Sequence, residues 1–420
     1  MVNRQLRRRR GAGLRGAATL ELFYDLVFVF SITQVSHLLA HHLSWAGVGQ
    51  SLIVLLAVWW SWNYTTWATN ELDPETNAVR LLLIALMLGS MLMAISIPDA
   101  FGDRGLLFAI AYVSVQVGRH AFLVFAASEK GSIERDQAGR ILAWFACAGV
   151  FWIAGGLVEG DMRVWIWLFA LVLDYVAPMI LFPVPGRPRL TAQSWHIATD
   201  HFAERFGLFV IAALGETIIL TGATTAAHDL DPATLFAFVQ AFVGTAALWW
   251  LYFTARHELG EQALAREATR TRRARDVYTY GHVLIVAGII ATAVGDELVI
   301  AHPLDQLAPA QTMAVSAGPI VFLSAQLLFR LRVNRRVDFG RLAAIGACIA
   351  IALFSGSTPS LAVGGVLVAV LLGVVLLDER SRRLPPHSAP GGEDDDSCHH
   401  LRRGLRRVRA RDLPSSRHPG

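Results

Sequence analysis

At 420 residues, 54% of them hydrophobic and only 17% charged, the chain has too little charge for a soluble protein of this length, where about a quarter is usual. A mean hydropathy of +0.45, with 12 Trp and 22 Phe, points the same way. The pI near 9.2 would suit nucleic acid, but the basic residues lie between apolar stretches and form no basic domain, so no nucleic-acid partner is expected.

About 20 apolar residues cross the hydrocarbon core of a bilayer. Twelve stretches approach that length, at 19–41, 47–68, 79–97, 105–127, 140–158, 163–182, 204–225, 233–254, 277–300, 311–330, 340–356 and 359–378. The sixth and twelfth give the weakest signals. The run Arg7 to Arg10 has the charge of a signal-peptide start. The stretch after it is long, contains Glu21 and Asp25 and offers no small-residue cleavage site, so it is expected to remain as the first span.

That span opens Leu20-Glu21-Leu22-Phe23-Tyr24-Asp25-Leu26. Glu21 and Asp25, at i and i+4, share one helix face. An ionisable group in lipid costs roughly 2.5–3.5 kcal/mol, so this face should look onto protein or a water-filled path. His37, His41 and His42 near the far end include an i, i+4 pair, but no third ligand is implied, and interfacial histidines are expected rather than a metal site. In the second span, Trp59, Trp60, Trp62 and Trp67 with Asn63 and Tyr64 form in part an interfacial aromatic belt. Trp59-Trp60 lies deeper than a belt requires, where packing against the charged first span is expected.

Arg119-His120 in the fourth span calls for an acidic partner, with Asp174 of the sixth, Asp25 and Glu216 as candidates. In the seventh span, His201, Glu204 and Arg205 at i, i+3 and i+4 read as an interfacial ion-pair cluster at the cytoplasmic entrance. Glu216 lies about 18 Å deeper, with no partner in its own helix. Gly215 allows close backbone approach, and Thr217 and Thr221 add hydroxyls. Glu216 suits either a buried structural hydrogen bond or a proton or cation site. His282, near Tyr278 and Tyr280 in the ninth span, is expected to be structural. Cys147 and Cys348 fall in apolar spans and Cys398 in the tail, which suggests neither a disulfide nor a zinc framework. The tail from Leu384, with the acidic block Glu393 to Asp396, reads as disordered. Its Cys398-His399-His400 suits solvated tail better than a metal site, and its stretch Arg402 to Arg411 suits anionic headgroups.

Of the 37 Lys and Arg, all except Arg104, Arg119 and Arg163 lie before the first span, in even-numbered loops or the adjoining span ends, or in the tail. By the positive-inside rule, both termini are cytoplasmic and the chain is a multi-pass protein of a bacterial inner membrane. The halves also look related. Arg140 and Cys147 match Arg341 and Cys348, Gly155 matches Gly356, and Trp59-Trp60 matches Trp249-Trp250. Glu21 and Phe23 match Glu204 and Phe206, and Asp99 matches Asp296. The expected organisation is all-α, with a basic N-terminus (1–17), two parallel six-helix halves (18–182 and 204–380) joined by a cytoplasmic linker (183–203), and a disordered tail (381–420).

The segments Glu21-Leu-Phe-Tyr-Asp25-Leu-Val-Phe-Val-Phe and Glu204-Arg-Phe-Gly with Leu214-Gly-Glu216-Thr217-Ile218 resemble the bacterial low temperature requirement A family over roughly residues 18–380. The resemblance implies location and fold, and a link to growth in the cold, more than a mechanism. Phe23-Tyr-Asp25-Leu-Val27-Phe28 is also similar to the Phe-Ser-Asp motif that opens the first helix of a lysosomal and bacterial potassium channel family. Here Tyr24 replaces the Ser, Thr19 stands where Arg is expected, and the seventh span lacks the motif. In that family the first helices of the repeats line the pore, which would place a path along the first and seventh spans.

No Walker loop, nucleotide fingerprint, HExxH or Ser nucleophile elbow is present, so no catalytic residue, cofactor or metal is assigned and no enzyme activity is expected. The expectation is translocation of a small cation, proton or solute between the halves. Glu21, Asp25, Glu216 and Thr217 would lie on the path, with Arg119, Asp174, Glu204 and Arg205 as structural or coupling charges. The alternatives are a membrane-embedded lipid-modifying enzyme, or a non-catalytic sensor or scaffold in cold or stress adaptation. Oligomeric state is not legible.

Overall fold

A computed structural model describes residues 6–7, 19–188, 199–263, 279–334 and 337–383. The runs Arg8 to Arg10 and Glu393 to Asp396, most of the 255–276 loop, Tyr278, Cys398 to His400 and Arg402 to Arg411 lie outside the described residues, as does the side chain of His201. By chain contacts the molecule divides into residues 1–376 and residues 377–420.

Among the described residues there are twelve α-helices and no β-strand: α1 Thr19–His41, α2 Trp45–Glu71, α3 Asn77–Ser96, α4 Gly105–Phe125, α5 Ile133–Leu157, α6 Asp161–Val176, α7 Thr199–Ala226, α8 Pro232–Ala263, α9 His282–Ala301, α10 Pro309–Asn334, α11 Phe339–Phe354 and α12 Ser360–Arg383. Each sits on one expected span. Where the ends differ, local chemistry gives the reason. α5 starts seven residues early because Ser132 caps it, its hydroxyl accepting from the Arg135 N–H at 3.1 Å. Ser44, Asp231 and Asp338 cap α2, α8 and α11 in the same way.

Ten of these helices among the described residues are long and apolar enough to span a bilayer. The short ones are α6 and α11, of 16 residues each. At 1.5 Å per residue each reaches about 24 Å, less than the ~30 Å hydrocarbon core. The weak twelfth span is thus a full-length helix of 24 residues, and the eleventh is the short one.

The bundle turns apolar side chains outward. On α3, Leu81, Ile84, Leu88, Leu92 and Ile95 are exposed, while Leu83, Met87, Ser90 and Met93 are buried. Large exposed apolar stripes of this kind belong against lipid. α9 and α10 approach closely through glycines. A side-chain carbon at Gly288 would lie 2.7 Å from the Phe322 backbone nitrogen, and one at Gly318 would collide with Thr292. Without a hydrophobic drive between helices in lipid, close backbone packing of this kind holds neighbours together. α1 lies centrally in its part of the bundle, touching α2, α3, α7 and α9. In the unit beginning at Leu377, the described residues continue α12, where Ser381 Oγ donates to the Leu377 carbonyl and Arg382 faces Glu379 at 3.6 Å.

Candidate functional site

α1 points its two carboxylates inward. Leu22, Phe23 and Leu26 are exposed, while Glu21 and Asp25 are 0% and 4% exposed. Their cation comes from 180 residues away. Arg205 on α7, itself 0% exposed, places Nη2 at 2.5 Å from Asp25 Oδ1 and Nη1 at 3.3 Å from Glu21 Oε1. Trp62 on α2 donates its indole N–H to the same Asp25 Oδ1 at 2.7 Å. Asp25 Oδ2 is buried and has no hydrogen-bond partner among the described residues.

Arg205 is therefore not part of an interfacial cluster with Glu204. Glu204 is half-buried and makes no ion pair among the described residues. Adjacent helix residues diverge by about 100°, so the packing that turns Arg205 inward turns Glu204 aside. The tryptophan that hydrogen-bonds the charged first span is Trp62, while Trp59 and Trp60 share a buried core cluster with Tyr24 and Phe28. Trp59 donates to the Thr279 carbonyl at 2.7 Å and packs edge-on against Phe206 and Phe209. Trp60 stacks on Tyr175 with ring centroids 3.9 Å apart.

A second polar network crosses five helices, α1, α2, α4, α5 and α6. Tyr24, one residue before Asp25, donates to Thr65 Oγ1 at 2.8 Å. Arg119 Nη1 donates to that hydroxyl at 3.0 Å and to the Ser61 carbonyl at 3.2 Å. Arg119 Nη2 donates to Gln116 Oε1, and Gln116 Nε2 donates to the Tyr112 hydroxyl at 3.0 Å. Tyr112 then donates to Asp174 Oδ2 at 2.7 Å, where Trp152 Nε1 also donates at 2.9 Å. Arg119 meets no carboxylate directly among the described residues, which corrects the expectation of an acidic partner. Asp174 reaches it through an amide and a phenol. The guanidinium also sits over the rings of Tyr64 and Phe145, at 5.6 and 5.8 Å from their centroids. His120 turns its Nδ1 to the Gln116 carbonyl and packs between Tyr64 and Phe145. Gln116, Tyr112 and Trp62 were not singled out as site residues. Only the i, i+4 spacing of Tyr112 and Gln116, continued by Arg119 at i+3, hinted at a polar face on α4.

Further along α7, Glu216 is 7% exposed and makes no hydrogen bond or ion pair among the described residues. The hydroxyls of Thr217 and Thr221 are turned to their own helix, onto the carbonyls of Ala213 and Ile218. α7 packs on α9, where Phe206 meets His282 with ring centroids 5.0 Å apart. On α9, Asp296 Oδ2 and Glu297 Oε2 are buried atoms without a hydrogen-bond partner among the described residues. His282 also bonds the Tyr252 hydroxyl at 3.0 Å and packs on Phe329, as a residue of an aromatic core. His41 turns its Nδ1 to the His37 carbonyl at 2.8 Å. No group of three His, Cys, Asp or Glu among the described residues is placed to hold a metal ion.

Comparison with known proteins places this geometry in a family. Residues 16–376 match the family described as Bacterial low temperature requirement A protein (LtrA), and the chain belongs to it. The chain is also 39% identical over 321 residues, 76% of its own length and 77% of the relative's, to Uncharacterized protein RA0937 of Rhizobium meliloti (strain 1021). The two segments that carried the resemblance to this family meet in the structure, since Glu21 and Asp25 of the first clasp Arg205 of the second.

Proposed function

We propose that this member of the low temperature requirement A family carries a proton or a small cation across the bilayer, with Asp25 as the group that exchanges its partner. One observation carries the reading. Asp25 lies buried where α1 meets α7, with one oxygen held by Trp62 and Arg205 and the other, Oδ2, without a hydrogen-bond partner among the described residues. A buried carboxylate in that state has an open coordination position, and in a membrane an intramembrane ionisable group marks a path by default. Arg205 acts as a tethered counter-ion. A proton or cation arriving at Asp25 competes with the guanidinium, which has Glu21 at hand as a second carboxylate. Glu216 lies eleven residues further along α7, about 17 Å from Arg205, and supplies the next acidic station. Conduction needs sites that attract a cation and still release it, and carboxylates at separate heights on one helix meet that need.

The two-halves arrangement belongs to the proposal. In its support, Arg140 and Arg341, matched between the halves, each clasp an acidic side chain one turn upstream at 2.6 Å, Asp136 and Asp338. Cytoplasmic termini belong to it as well. Arg7 reaches the Ala127 carbonyl, Ser128 Oγ and Glu71, which gathers the N-terminal segment and two basic-side loops at one end of the bundle.

The test is flux of Na⁺, K⁺ and H⁺ into liposomes holding purified full-length protein, beside Asp25→Asn and Glu216→Gln of matched thermal stability. Wild-type flux should fall at least tenfold in Asp25→Asn. Absence of flux in the wild type, or undiminished flux in both variants, removes the proposal.

A further inference from the structure

A cavity of about 90 Å³ opens between α2, α4 and α5, bounded also by the turn after α6 and by the π turn Thr279–Gly281 that precedes α9. It holds no residue of the Asp25 cluster, and of the Arg119 network it borders only Tyr64 and His120. Trp60, Tyr64, Trp67 and Tyr280 give it aromatic walls. Two carboxylates border it, Glu71 from the last turn of α2 and Glu134 from the first turn of α5. Arg7 engages Glu71 at 3.4 Å from the N-terminal segment.

The deeper end is different. Asn63 is 0% exposed, and its amide Nδ2 has no acceptor, although Thr279 Oγ1 donates to its Oδ1 at 3.4 Å. Trp60 Nε1 is likewise buried without an acceptor among the described residues. Buried donors are nearly always satisfied, so two of them on residues lining one cavity call for an oxygen that the described residues do not supply. Asn63 and Glu71 are eight residues apart on α2, about 12 Å along its axis. The cavity thus has a donor end and an acidic end with aromatic faces between them. Aromatic faces beside carboxylates favour ammonium groups, above all quaternary ones. The wall behind is unusual too. Leu181 and Phe182, which also line the cavity, hold φ of 61° and 50°, a left-handed backbone that side chains of this size rarely adopt.

We infer that this cavity binds an organic ammonium compound carrying an oxygen acceptor, with the ammonium among the aromatic rings and Glu71 and Glu134 and the oxygen on Asn63 and Trp60. This chemistry is shared by a free zwitterionic solute and by a zwitterionic phospholipid headgroup. The site stands independently of the transport reading, because it is measured by binding alone.

Full-length protein in a non-ionic, amine-free detergent is titrated with glycine betaine and, separately, with dihexanoyl phosphatidylcholine, followed by calorimetry and tryptophan fluorescence. Saturable binding of the solute alone identifies a solute site. Binding of the short-chain lipid alone identifies a headgroup site. In either case Ala138→Phe, which fills the cavity from α5, and Glu134→Gln at its acidic end should each weaken binding at least tenfold while the melting profile stays that of the wild type. If neither compound saturates, or if binding is unchanged in the correctly folded variants, the inference is overturned.

Discussion

Replacing Arg205 by Met keeps the unbranched apolar stem and removes the guanidinium that stands 2.5 Å from Asp25 and 3.3 Å from Glu21. Breaking a buried ion pair from one side costs about 3–5 kcal/mol, because the remaining charge is left in a medium that solvates it poorly. The geometry puts this case at the upper end. Among the described residues Asp25 would keep only the Trp62 N–H, with no donor to its second oxygen. Removing both sides of the Asp25 contact tests the cause. In the Asp25→Asn/Arg205→Met double variant, the loss should be smaller than in Arg205→Met alone, with a coupling of about 0.5–3 kcal/mol. The assay is unfolding of the detergent-solubilised proteins by added SDS, followed by far-ultraviolet circular dichroism. Because the pair is buried, the difference should persist at high salt, where an exposed pair would be screened. If Arg205→Met unfolds with the wild type, or Asn at position 25 deepens the loss instead of relieving it, the interior pair is not what holds α1 to α7.

Gln116 bridges Arg119 to Tyr112, so Gln116→Leu removes two buried hydrogen bonds at once and should destabilise by about 1–3 kcal/mol for each group left unsatisfied; the same SDS titration reads it, and a change below about 0.5 kcal/mol would show that the network is not a stabilising unit. Asp338 gives a pH signature outside the spans. Burial pushes its carboxyl up, but the Arg341 N–H and the guanidinium groups of Arg341 and Arg330 outweigh it and hold the carboxyl below its usual range. A depressed acid contributes fully above its unfolded pKa of about 3.9, and that contribution fades as the pH falls through the lower folded value. The melting temperature of the wild type should therefore exceed that of Asp338→Asn at pH 6, and the gap should narrow only below about pH 4; a gap that narrows from pH 6 downward, or none at any pH, contradicts the assignment.

Twelve apolar stretches were legible because length and hydropathy are local properties, and each helix needs only its own residues to satisfy its backbone in lipid. The inward face of α1 was legible for the same reason. Glu21 and Asp25 repeat with the helix, and the exposed Leu22, Phe23 and Leu26 leave the carboxylates only one side to face. The partner was not. Nothing in Glu204-Arg205 says which of two neighbouring charges turns inward, because that depends on the rotation of α7 about its own axis, set by Phe206 and Phe209 packing on Trp59 and Trp62. Arg119 misled by analogy with simple ion pairs. Its charge is spread over a hydroxyl, carbonyl and amide oxygens and two ring faces, and no spacing rule links those residues.

By itself the sequence determined that this is a polytopic helical membrane protein of its family, with an acidic face at the start of its first helix. Periodicity and hydropathy act within one helix and need no knowledge of its neighbours. Only the tertiary structure decided that Arg205 answers Asp25 across 180 residues, that Asp174 reaches Arg119 through Tyr112 and Gln116, and that Asn63 lines a cavity with Glu71 and Glu134. Those facts depend on the relative rotation and height of helices far apart in the chain. A shift of one residue along a helix turns a side chain by about 100° and exchanges a partner for lipid.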